Sequence, residues 1–250
     1  MASDPRSSGR RRRSLSSGRR TNPPFRADHV GSLLRPPELL NAREDHHAGR
    51  IDDEQLRAVE DESIRNVVQM QRDIGLQSAT DGEFRRSSWH MDFIYQLGGI
   101  EQVPGNITVK FRNPDGEIEF TPAAIHVAEK VRLERPIFGE HFGFLREAVA
   151  EGVTPKLTIP SPSMVHYRGG RAAIDPEVYD DVDKFWSDLV GAYRDQVRAV
   201  ADLGCTYLQF DDTSLAYLND PQQREQMASQ GEDAEHLHET YIRHINEALS

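Results

Sequence analysis

Four stretches of the chain share one layout: a short run rich in apolar residues, then an abrupt change to polar residues, glycine or proline. They occupy residues 25–32, ending in His29, Val30, Gly31 and Ser32; 76–83, ending in Asp81, Gly82 and Glu83; 155–162, ending in a Pro-Ser-Pro corner; and 208–215, which reaches Asp211 and Asp212. Short apolar runs closed by turn residues predict buried strands of a parallel sheet. Helical spacings lie between them. Pro36 and Pro37 open a short helix that Gly49 closes. Asp52 and Gln55 form a capping box for a longer helix with Leu56, Val59, Val67, Met70 and Ile74 on its apolar side, stopped by Gly75. Further helices are predicted over 138–149, over 182–203 with Trp186, Leu189, Tyr193, Val197 and Val200 in register, and over 235–249 with Leu237, Tyr241, Ile245 and Leu249 in register.

Residues 105–121 interrupt this alternation. Segments 107–111 and 117–120 alternate polar and apolar positions around a turn at 113–116, which predicts an inserted β-hairpin. Residues 123–135 fit strand and helix equally. Strands followed by helices, with polar residues delivered at the carboxyl ends of the strands, predict an α/β fold of the (β/α)8 TIM-barrel type, whose sites lie at that end. About five strands can be counted where a closed barrel needs eight. The domain over 23–250 is therefore expected to be an incomplete barrel, truncated after about five strands, with residues 1–22 as a disordered basic tail.

Charge sharpens the picture. The net charge is -11, yet residues 1–22 carry seven arginines against the single acid Asp4, which leaves -17 on the remainder. So acidic a body argues against nucleic acid as a partner. No apolar run approaches the roughly 18 residues of a membrane span. The Arg/Ser-rich tail reads as a solvated leader, a basic targeting segment or an organelle transit peptide. The one cysteine, Cys205, allows no internal disulfide, which fits a reducing, cytoplasmic location; following Gly204 at a helix end, it reads as a small buried hydrophobe. The sequon at 106–108 is expected to stay unmodified without secretion.

The chemistry concentrates at the four strand ends. Asp211 and Asp212 are placed to hold a cationic group such as an amine, with helix capping as the other reading for one of the two. His29 is a candidate substrate contact by the same placement. Arg85, Arg86, Arg168 and Arg171 are candidates for an anionic substrate, because guanidinium forks suit carboxylates. Trp89 and Trp186 read as packing residues. No grouping of histidines with the single cysteine has the spacing of a metal site, so no metal ligand is assigned.

Together, residues 28–35 (Asp-His-Val-Gly-Ser-Leu-Leu-Arg), 80–86 (Thr-Asp-Gly-Glu-Phe-Arg-Arg), 156–162 and 207–212 resemble, in order, the catalytic domain of the cobalamin-independent methionine synthase family, and in particular its short, single-domain members. The resemblance implies a methyltransferase that moves a methyl group from a methyl-tetrahydrofolate to homocysteine, with zinc activating the thiol. It implies that Val30 and Ser32 hold the amino-acid carboxylate while Glu83 and Asp211 hold its ammonium. It places His166 where the family has an indole packed on the pterin, and puts the zinc ligands in strands beyond those recognised here. Two other readings stay open: a non-catalytic binding or interaction module, and a thiol alkyl-transfer or lyase enzyme of the same superfamily.

Overall fold

A computed structural model describes residues 22–104, 109–113, 116–120, 124–167 and 169–250. Residues 1–21 of the basic tail, the 106–108 sequon and Arg168 lie outside the described residues. Two helices lead the fold, α1 (Pro37–His47) and α2 (Asp53–Asp73). The α2 start is the capping box: the Asp52 carboxylate accepts from the Gln55 amide at 2.9 Å, and the Gln55 side chain accepts from the Asp52 amide at 3.0 Å. Asp52→Ala should cost about 1 kcal/mol of stability. An unchanged urea midpoint would remove the cap from the account.

The central feature is a row of parallel strands laid down in chain order. Strand β1 (Ser78–Ala79) pairs with β6 (Thr154–Pro155), and β7 (Leu157–Pro160), which follows β6 after one residue, pairs with β8 (Leu208–Asp211). Side chains alternate across this sheet. Ala79, Leu157 and Ile159 are buried on one face, where helices cover them. Ser78, Thr80, Lys156, Thr158, Tyr207, Gln209 and Asp211 carry the other, polar face. Helices α4 (Gly139–Ala148), α5 (Pro162–Tyr167), α6 (Val182–Asp202) and α9 (Leu237–Ala248) pack on the apolar side. Shorter helices complete the chain: α3 (Met91–Ile94), α7 (Ser214–Tyr217) and α8 (Pro221–Ser229).

Four expectations are corrected. Residues 25–30 form no strand: the segment makes no ladder and is tied down by side chains reaching from the sheet. Among the described residues three consecutive parallel stretches are seen where the sequence predicts about five strands; these residues close no barrel. The interruption is also larger than a single hairpin. Strand β3 (Val109–Asn113) pairs antiparallel with β4 (Gly116–Phe120), while β2 (Gly98–Val103) pairs antiparallel with β5 (Ala124–Arg132), which resolves the ambiguous 123–135 segment largely as strand. Finally, the buried stripe of α2 runs through Glu60, Ile64, Val67 and Gln71, leaving Met70 and Ile74 exposed. Polar Glu60 and Gln71 face inward because buried partners await them.

Among the described residues no helix is long and apolar enough to cross a membrane.

Candidate functional site

Beyond β1 the chain enters a turn in which Gly82 (φ 68°) and Glu83 (φ 59°) are both left-handed. Glycine adopts this freely, but for glutamate it costs on the order of 1 kcal/mol, so the surroundings must hold it. They do so from several sides. The Glu83 amide donates to Asp81 Oδ1 at 2.9 Å. The Glu83 carboxylate oxygen Oε1 accepts from Thr158 Oγ1 at 2.7 Å and from Arg86 Nη1 at 3.3 Å. Arg86 also donates to the Thr158 carbonyl at 2.8 Å and lies 4.1 Å over the Phe138 ring. Glu83 and Arg86 are both buried. Close by, burial drives the His141 imidazole down to about 4, in spite of the Asp81 carboxylate beside it.

The 28–32 segment lies across the polar face. Asp28 accepts from Lys156 Nζ at 3.0 Å, from Ser78 Oγ at 3.1 Å and from the Tyr207 hydroxyl. Thr80 Oγ1 donates to the Gly31 carbonyl at 2.6 Å, and Gln209 Nε2 donates to the Val30 carbonyl at 2.8 Å. Gly31 has φ 123°, and a Cβ there would sit 2.6 Å from Thr158 Cγ2, so only glycine fits against the sheet. Val30 is 68% exposed and Ser32 is exposed as well, its hydroxyl making no hydrogen bond among the described residues.

The two aspartates divide the work. Asp212 accepts from the hydroxyls of Ser161, Ser163 and Ser214 and from the Leu215 amide at 3.0 Å. It caps the turn into α7. Burial opposes ionisation, but these four donors hold its carboxyl below the ordinary value. Among the described residues the Asp211 carboxylate accepts a hydrogen bond only from the Gln209 side-chain amide. Burial lifts its carboxyl above the ordinary value of 3.8; the Gln209 hydrogen bond draws it back, while the negative charge of Glu83 adds to the rise. An elevated carboxyl beside a second buried carboxylate is a place where a cation would be welcome.

The geometry therefore gathers Glu83, Asp211 and the Val30–Ser32 backbone. Thr158 touches both Gly31 and Glu83, and Gln209 touches both Val30 and Asp211. His29 and His166 are turned elsewhere. The His29 ring meets Gln71 Oε1 on α2 at 2.9 Å. His166 is buried, 3.0 Å from the Tyr241 hydroxyl and 3.3 Å from Glu232. The arginines expected to meet an anionic substrate are corrected: Arg85 is buried against Glu60 and Asp61, Arg86 is bound to Glu83, and Arg171 donates to the Tyr179 carbonyl at 2.7 Å. A buried guanidinium already paired has no fork to offer. Lys156, Thr158, Gln71 and Arg35 escaped the sequence reading. Lys156 alone carried a signal, as a charge at the head of a strand whose next residue is apolar.

Comparison with known proteins identifies relatives of the chain. Residues 25–240 match the family model described as the cobalamin-independent synthase catalytic domain. The chain is 40% identical to YxjH of Bacillus subtilis, described as an uncharacterised protein, over 91% of this chain and 58% of that one. It is 26% identical to a methionine synthase of Pyrococcus abyssi over 77% of this chain and 52% of that one. A solved structure titled a putative vitamin-B12 independent methionine synthase from Listeria monocytogenes superposes with TM-score 0.74 at 40% identity, covering 91% of this chain and 62% of that one. The chain thus spans between half and two thirds of the length of these relatives.

The zinc that the resemblance implies finds no home in the residues seen. Among the described residues no three His, Cys, Asp or Glu side chains converge as ligands. Cys205 lies beneath β8 with its thiol donating to the Tyr207 carbonyl at 3.5 Å, and burial raises its pKa, the reverse of what a thiolate ligand needs. These residues do not fit a zinc cage. The match over 25–240, the ordered motifs and the superposition agree on one point: the chain belongs to the cobalamin-independent methionine synthase family, through its catalytic domain.

Proposed function

We propose that this chain grips the amino-acid end of homocysteine, or of its methylated product methionine, for methyl transfer from a methyl-tetrahydrofolate. The ammonium sits between Glu83 and Asp211, and the carboxylate is taken by the Val30 backbone and the Ser32 hydroxyl. The observation that carries the reading is the pair of carboxylates beyond β1 and at the end of β8, the strands that flank the β6–β7 stretch, one buried in a left-handed turn and one raised by burial and by the other's charge. An ammonium between them relieves that repulsion and gains charge-assisted hydrogen bonds. Asp212, engaged by three hydroxyls and an amide, positions the end of β8 and takes no part in binding.

The sign of the pH dependence follows. Only the ionised form of Asp211 attracts an ammonium, and its carboxyl in the free protein ionises above 3.8. Affinity for methionine should therefore weaken as pH falls through that raised value and strengthen as pH rises past it. Calorimetric titration of methionine into the protein and into Asp211→Asn tests this. The variant should bind about tenfold more weakly at neutral pH and lose the part of the pH dependence that Asp211 supplies. Equal affinities at neutral pH would overturn the assignment.

A further inference from the structure

The two halves of the proposed zwitterion site are joined by one side chain outside both. Arg35 follows the Val30–Ser32 segment, in the loop that leads into α1. Its Nη2 donates to the Glu83 carbonyl at 2.9 Å and to the Arg86 carbonyl at 2.6 Å. Two residues earlier, the Leu33 amide donates to the Gly82 carbonyl at 3.1 Å. From α1, Arg43 adds Nη1 to the Arg86 carbonyl at 3.1 Å and Nη2 to the Phe84 carbonyl. The carbonyls of residues 82, 83, 84 and 86 thus all accept from donors in residues 33–43. That row of donors holds the left-handed pair at 82–83, and with it the direction in which the Glu83 carboxylate points.

Resting on the reading above, we infer that Arg35 is a positioning residue for the ammonium subsite. It locks the backbone of Glu83 to the same loop that carries the carboxylate subsite, so that the two ends of an amino acid meet a single rigid unit. Arg35 touches neither end of the ligand itself. Both bonds leave one nitrogen, Nη2, at the tip of a planar guanidinium, whose reach and fixed donor directions a flexible lysine ammonium matches only in part.

The consequence is selective. Weakening the lock lets Glu83 leave its strained conformation, so the contact to the ammonium suffers while the contact to the carboxylate does not. The experiment compares methionine with its deamino analogue, the same molecule lacking only the amine, by calorimetric titration into the wild type, Arg35→Gln and Arg35→Lys. The wild type should prefer methionine; equal binding of the two ligands would show that no ammonium subsite exists, and would sink the functional reading together with the inference. Given that preference, Arg35→Gln should bind methionine about tenfold more weakly while the deamino analogue changes less than about twofold, and Arg35→Lys should fall between. If both ligands lose affinity in parallel, Arg35 is merely structural and the inference fails. No loss for either ligand overturns it equally. Should Arg35→Gln fail to fold, the same ratio measured on Arg35→Lys decides the matter.

Discussion

Arg86→Met is expected to lower the unfolding free energy by about 3–5 kcal/mol. Methionine keeps much of the stem volume, so the loss is electrostatic and polar. Arg86 and Glu83 are 1% and 3% exposed, and the pair is 3.3 Å apart. Without the guanidinium, the Glu83 carboxylate stays buried next to Asp211 without its ion-pair partner, and the Thr158 carbonyl loses its 2.8 Å donor. The stacking over Phe138 at 4.1 Å goes as well. Urea unfolding followed by circular dichroism reads the change directly. A loss under about 1 kcal/mol would mean that water reaches the pair and that its burial has no energetic weight.

Trp186→Ala should cost a comparable amount, about 3–5 kcal/mol, for an unrelated reason. The indole is buried on α6 and stacks on His244 of α9 at 4.3 Å with 9° between the rings. It also lies 5.0 Å from His166 of α5 and 5.9 Å from Tyr241 of α9. One ring thereby joins three helices on the apolar side of the sheet, and its removal leaves a cavity their neighbours cannot all collapse into. Because Trp186 is remote from the Glu83 turn in its contacts, methionine affinity of the folded variant should match the wild type. A stability loss below about 1 kcal/mol, or a lost affinity at full stability, would contradict this placement.

What could be read from the sequence was local or periodic. The Asp52–Gln55 cap, the extents of α4 and α6 and the antiparallel character of 109–120 all depend on neighbours close in the chain. Residues 25–30 misled because their apolar content is strand-like while their anchors are distant: Ser78, Lys156, Tyr207 and Gln209 hold them through side chains rather than through a ladder. Strand β2 escaped notice for another reason, since Gly98 and Gly99 at its start carry no apolar signal. In the site, the acids at strand ends stood out by position. The residues that hold them did not, because a buried arginine or lysine looks in sequence like any solvated charge. Arg35 and Arg86 show their role only once the 82–86 turn is folded beneath them.

The alternation of β6 to β8 carries a constraint on how this scaffold can change. Lys156 and Thr158 hold the site loop and the Glu83 carboxylate, while Leu157 and Ile159 between them seal the helices. Inserting or deleting one residue between 154 and 160 would exchange these roles along the whole strand, driving an ammonium into the hydrophobic layer and two aliphatic chains onto the wet side. Divergence within this stretch is therefore confined to swapping side chains at a fixed count, and frameshifts in strand length are tolerable only in segments that do not alternate between two masters.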